Sequence, residues 1–222
     1  MTQATETDTD RPDVRTQILQ EATRLFANQG FDGTSIRAIS DEVGIAKPSL
    51  LYHFPSKDEL RRVVLEQVFS HWNEVLPELL KVATSGEGRF ESLMTEILSF
   101  FLADTNRAKL LTREMLDRPD EINEQLRTFL SPWMRLMADY IRRGQEEGII
   151  YEDVDPDSYI LQVIQMVVGG LSTSTVYGGL LEEMSEDDAS AIEQRQIKEI
   201  IRIARSSLFV GDPATPSEHT EG

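Results

Sequence analysis

The chain of 222 residues contains no cysteine, which removes disulfides, thiolate metal sites and cysteine nucleophiles together. It also lacks any uninterrupted apolar run approaching the roughly 18 residues of a membrane span. Residues 1–10 are polar and acidic, without the basic and apolar regions of a secretory leader. A soluble cytoplasmic protein is expected, with no membrane partner. The three histidines, His53, His71 and His219, have no ligand spacing, and no HExxH, EF-hand, G-x-S-x-G, P-loop or G-x-G-x-x-G pattern occurs. The chain is therefore read as a non-enzyme, with no catalytic residue, metal or cofactor. Basic residues are scarce: 22 Lys and Arg face 39 Asp and Glu, a net charge of −17. Taken alone, that charge argues against a polyanionic partner.

The acidity is unevenly spread. Residues 1–10 carry three acids and no base, and residues 63–222 carry 29 acids against 14 bases. Between them, residues 11–62 hold eight bases and seven acids. One short segment is thus close to neutral and permits contact with nucleic acid.

Where periodicity exists it is helical. Ile18, Ala22, Leu25 and Phe26 form one apolar face of a first helix ending at Gly30. Thr34 is the expected N-cap of a short second helix carrying Ile36 and Ile39 inward and ending at Val43-Gly44. Pro48 suits the first turn of a third helix running to about Phe54. Ser56 to Glu59 reads as a capping box opening a long fourth helix, with Leu60, Val63, Val64, Val68 and Phe69 inward. Further helices are expected over 90–102, 107–116, 122–147 (with Pro132 as a kink or restart), 157–177 and 189–209. No segment has strand period. The expectation is an all-α protein of about nine helices: a three-helix helix-turn-helix domain over 11–58 and a larger helical domain over 59–209. Acidic residues 1–10 and the Pro-, Ser- and Thr-rich residues 210–222 are expected to be disordered tails.

Residues 34–54 have the layout of a helix-turn-helix, two short helices around Gly44 with apolar residues that can share a core. A helix of about seven residues is unstable alone in water, so it must be braced from behind. Leu50 and Phe54, four apart, face inward, which turns Lys47 and Leu51 outward with Ser49 and Tyr52 beside them. Such a tip could enter a major groove about 12 Å wide. Ordinary helical hairpins share this layout, so the pattern alone leaves DNA binding open.

The fuller set of residues is more specific. Ala22, Leu25-Phe26, Gly30-Phe31, Gly33-Thr34-Ser35, Ile39-Ser40, Val43-Gly44-Ile45, Lys47, Leu50, His53-Phe54 and Ser56-Lys57-Asp58-Glu59-Leu60 stand at fixed spacing. Together they resemble the N-terminal DNA-binding domain of the TetR/AcrR family of transcriptional regulators, over about residues 14–60. That resemblance implies DNA contacts from Thr34, Ser35 and Arg37, then Lys47, Pro48, Ser49, Leu51, Tyr52 and His53. It further implies that Lys57 meets a phosphate at the next helix start. The chain departs from the family in two places. Leu51 stands where a Tyr often follows the Leu at 50, and Ala46 replaces a hydroxyl residue that would cap the third helix.

Beyond residue 60 the sequence says less. Met94, Phe101, Met115, Trp133, Met137, Tyr140 and Met166 could line a cavity for an unidentified small-molecule effector, or could be ordinary core. Gly169, Gly170, Thr173 and Tyr177, with Ile197, Ile201 and Leu208, could form half of a four-helix dimer interface, or pack within one subunit. The resemblance favours a homodimer and hence a palindromic operator on double-stranded DNA. Two readings follow: a ligand-responsive DNA-binding regulator, expected to repress and to leave its operator on binding effector, or a small-molecule-binding helical dimer without specific DNA binding.

Overall fold

Helix α1 (Val14–Gly33) starts where Asp13 supplies a cap, its Oδ1 accepting from the Thr16 N–H at 2.8 Å. That bond holds the Asp13 carboxyl below the usual carboxylate range. The computed structural model describes residues 13–82, 86–185 and 188–211. The tail expected over 1–10 lies outside them, as does that expected over 210–222 except for Val210, whose N–H donates to Ile149 O at 2.8 Å, and Gly211. Two compact units divide the chain after Val68.

In the first unit, α1 is regular as far as Gly30, whose φ of 76° turns the chain. Thr34 is not the cap of α2 (Ile36–Val43). Its side chain is buried and its hydroxyl donates to the Gly30 carbonyl at 2.7 Å. The cap is Ser35, whose Oγ accepts from the Ala38 N–H at 3.0 Å. The glycine turn leaves a carbonyl that Thr34 reaches, so capping moves one residue on. Gly44, at φ 75°, ends α2 and leads to α3 (Lys47–His53). Helix α4 (Lys57–Val82) opens with Ser56 Oγ accepting from the Glu59 N–H at 3.1 Å. Of its expected inward face, Leu60, Val64, Val68 and Phe69 are buried and Val63 is half-buried. The expected domain boundary at 58 thus falls inside a helix, because Leu60, Val64 and Leu65 are buried residues of the first unit.

The second unit contains α5 (Gly86–Ala103), α6 (Asn106–Asp117), α7 (Pro119–Phe129), α8 (Ser131–Glu146), α9 (Pro156–Ser172), α10 (Ser174–Met184) and α11 (Ala189–Ser206). Eleven helices are therefore present among the described residues, where about nine were expected, because two expected helices are broken. Pro132 has no N–H for the Thr128 carbonyl, and the helix restarts at Ser131. The second break is at Thr173. Hydroxyls of Ser172 and Thr173 both donate to the Gly169 carbonyl, at 3.0 and 2.7 Å, and that of Ser174 donates to Leu171. Three consecutive hydroxyl residues bonding back onto the preceding turn bend a helix, and α10 leaves α9 at 72°.

The turn after α8 is tied to the end of α11. Ile150 and Phe209 form an isolated antiparallel bridge, with the Tyr151 N–H donating to Leu208 O at 3.0 Å and the Val210 N–H to Ile149 O at 2.8 Å. Burial in the second unit centres on Met94, Leu98, Leu110, Val167 and Ile150. Among the described residues, no single helix is long and apolar enough to cross a membrane.

Candidate nucleic-acid interface

Helix α3 has seven residues and one firmly held face. Leu50 is fully buried and Phe54 is 1% exposed. The Arg15 guanidinium lies 5.3 Å from the Phe54 ring centroid and closes that side. The other face is open. Lys47, Pro48 and Ser49 are exposed, Tyr52 is 86% exposed, and Leu51 and His53 are half-buried. Tyr52 and His53 stand edge to face with ring centroids 5.6 Å apart. No side chain caps the helix at Ala46, whose carbonyl accepts from the Ser49 and Leu50 N–H groups. Pro48 partly makes up for the missing cap, since it has no N–H to satisfy and its φ already suits a helix.

The start of α2 adds two exposed polar residues. Ser35 keeps its hydroxyl at the cap, and Arg37, with its side chain 83% exposed, lies a loose 3.7 Å from Asp41. Two other expected contact residues point inward. Thr34 is buried, as described above. The Lys57 ammonium donates to the carbonyls of Phe31 and Thr34, at 2.8 and 2.9 Å, and sits 4.1 Å from the Phe31 ring centroid. Both belong to a bracket that fixes the loop between α1 and α2. An inward-facing cation was not expected, because spacing does not show which backbone carbonyls a lysine can reach.

Sequence reasoning also missed a clamp between α1 and α2. Arg24 pairs with Glu42 and Glu21, each at 2.7 Å, and these carboxylates raise the already high pKa of the guanidinium. Arg24 and Glu42 are eighteen residues apart, a separation without periodic meaning. The clamp links α1 to α2, the helix that precedes α3.

The seven expected effector residues differ in their exposure within the second unit. Met94 and Phe101 are buried, with Phe101 near Trp72 at a ring separation of 6.3 Å. Trp133, Met137 and Tyr140 are half-buried on α8, whereas Met115 is 37% exposed on α6. Met166 faces a groove of about 590 Å³ between α9 and α11, together with Gly169, Gly170, Thr173, Tyr177, Ile200 and Ile203. Four of the seven expected dimer residues therefore line one groove. Ile197 and Ile201 are half-buried beside it. Leu208 departs from expectation: it is 2% exposed and its carbonyl serves the Tyr151 N–H, so it belongs to the subunit's own core. Val176, Leu180 and Met184 on α10 are 72, 53 and 73% exposed and were missed, although their spacing of four could have revealed them. Gln125 on α7 holds a buried Oε1 with no hydrogen-bond partner among the described residues.

Two family models match this chain. The model for bacterial regulatory proteins of the tetR family covers residues 18–64, and the tetracyclin repressor-like C-terminal domain covers residues 110–180. Their combined ranges exceed half of the chain. The chain belongs to the TetR family. It is a DNA-binding transcriptional regulator of the helix-turn-helix type. The HTH-type transcriptional repressor KstR2 of Mycobacterium tuberculosis is 26% identical over 151 residues, covering 64% of this chain and 72% of that protein. The negative regulator of the biofilm operon, IcaR, of Staphylococcus epidermidis is 29% identical over 117 residues, or 53% of this chain and 61% of that one. Among solved structures, the ketosteroid regulator KstR2 of M. tuberculosis superposes with a TM-score of 0.69 at 16% identity, covering 94% of this chain and 99% of that one. The fatty acid degradation regulator FadR of Bacillus halodurans gives 0.65 at 14% identity, with 88 and 96% covered. These superpositions speak for the TetR fold alone.

Proposed function

We propose that this TetR-family repressor acts in the cytoplasm as a homodimer. In this reading it holds a palindromic operator through α2 and α3 and leaves it when a small molecule binds the second unit. The observation that carries the reading is the contrast within α3: Leu50 fully buried on one side, Tyr52 86% exposed on the other. A short helix fixed so firmly can present a defined surface to a groove. Lys47 is suited to guanine O6 and N7 or to a phosphate, Arg37 to either, and Ser49 to a phosphate or a base edge. Leu51 is suited to a thymine methyl, and Tyr52 and His53 to the sugar-phosphate backbone. Ser35 and Pro48 complete the surface. Lys57 and Thr34 act behind it, by fixing the loop that carries Ser35.

A dimer is supported by the α9–α11 groove and by the exposed apolar face of α10. A side chain at Gly169, Gly178 or Gly179 would meet no neighbouring atom within 4 Å, so a second backbone can come close. Two-fold symmetry would set a pair of recognition helices against half-sites roughly 34–36 Å apart. The effector acts only through its different affinities for the DNA-bound and released conformations. Titration of the purified protein against DNA upstream of its own gene, across salt concentrations, tests the reading. Tight binding to one segment, weakening steeply with salt, is expected. Equally weak binding to any duplex would leave the alternative, a helical ligand-binding dimer without an operator.

A further inference from the structure

Gln125 lies on the inward side of α7, a turn after Ile122, which is 2% exposed, and a turn before Phe129. The Phe129 ring stacks on Phe69 of α4, with centroids 5.6 Å apart and planes 5° from parallel. Residues four apart on a helix share a face, so Gln125 and Phe129, which carries one ring of this flat aromatic pair, lie on the same side of α7. Its Oε1 is buried and has no hydrogen-bond partner among the described residues. Buried polar atoms are nearly always satisfied, and an exception calls for an explanation. An amide oxygen can accept two hydrogen bonds and donate none, so what it lacks is a donor.

We propose that Gln125 is the polar contact of the effector site, and that the effector is a flat, largely apolar molecule carrying a neutral hydroxyl or N–H donor. This rests on the reading of the second unit as effector-binding, and adds the ligand's chemical class. The aromatic pair favours a flat ring, since offset stacking adds to the gain from burying its surface. The donor is neutral because a single amide oxygen compensates little of the cost of bringing a full charge out of water. Selection then follows from the empty acceptor. A ligand with a donor relieves it, whereas a matched ligand without one leaves it unpaired and loses affinity.

The test uses two probes of nearly equal shape, biphenyl-4-ol and 4-methoxybiphenyl, on the full chain and on Gln125→Met. Binding is read by thermal shift and by isothermal titration, both independent of DNA. The wild type is expected to bind the phenol at least tenfold more tightly than the ether. In Gln125→Met that ratio should fall to near one. The unliganded variant should melt at a higher temperature than wild type, because an unsatisfied group has gone. Gln125→Leu provides the same comparison if the methionine variant folds poorly. A preference for the phenol that survives both substitutions, binding of neither probe to wild type, or lower melting temperatures for both variants would each overturn the proposal. Phenol binding that depends on Gln125 but leaves operator affinity unchanged would support this site and count against the effector reading instead. Absence of operator binding altogether would overturn the DNA reading without touching the assignment of Gln125.

Discussion

The Lys57 ammonium bonds the carbonyl of Phe31 at 2.8 Å and rests 4.1 Å from the ring centroid of the same residue. One cation thereby grips both the backbone and the side chain of a single position, and a second hydrogen bond, to the Thr34 carbonyl, extends the grip along the loop. The start of α4 is pinned to the loop that delivers Ser35 and α2.

Removing that pin has a testable signature. Lys57→Gln is expected to lower stability by about 2 kcal/mol, the scale of lost charge-assisted hydrogen bonds. Operator affinity should fall with it, but the slope of log affinity against log salt should stay the same. A phosphate contact would instead reduce that slope by about one, so titrations at several salt concentrations separate the two roles.

Lys47→Ala should behave in the opposite way. Lys47 is exposed at the tip of α3 and has no part in the core. Melting temperature and oligomeric state are expected to be unchanged, while base preference changes or operator binding is lost. Binding selections on randomised duplexes, alongside light scattering, provide the check.

Helix α3 lacks a side-chain cap at Ala46. Ala46→Ser restores an oxygen for the first free N–H groups and is expected to stabilise the protein by about 1 kcal/mol, measured by urea denaturation. No gain would show that Pro48 has already removed the need.

Gly144 on α8 sets a tighter limit. A Cβ there would lie 2.6 Å from Ile150 Cδ1 and 2.8 Å from its Cγ1, and Ile150 is 2% exposed beside the bridge to Phe209. Gly144→Ala should cost about 1–3 kcal/mol, the range for overpacking a core. Gly169→Ala, facing open space, should leave the folded monomer's stability unchanged or slightly raised.

Alkaline titration should single out Tyr159. Its hydroxyl donates to Ala204 O at 2.6 Å, and burial pushes its pKa well above the ordinary tyrosine range. The unfolded phenol ionises near its ordinary pKa of about 10. Stability from this group is therefore full below that pH and declines as pH rises beyond it. Tyr159→Phe is expected to flatten that decline; an unchanged alkaline limb would contradict the assignment.

How much of this was legible beforehand depends on the range of the interaction. The bracing of α3 by Leu50 and Phe54 could be read directly, because a residue four positions on lies on the same helical face. Gly30 and Gly44 marked their turns, since the conformations there favour glycine. The break at Thr173 was written as Ser172-Thr173-Ser174, yet the apolar residues around it concealed the competition from three hydroxyls. The inward course of Lys57, the Arg24–Glu42 clamp and the burial of Leu208 could not be read. Each joins segments distant along the chain, and periodicity carries no information about such meetings.

The corner at Thr173 has a consequence for pairing. Two straight rods can slide along one another by a turn and still bury similar surface, so their alignment is loosely determined. A pair of helices meeting at 72° cannot shift in this way without lifting one arm from its counterpart. If a twin copy docks against both arms, the elbow sets the alignment of the pair and disfavours mixed assemblies with relatives whose corresponding helix runs unbroken.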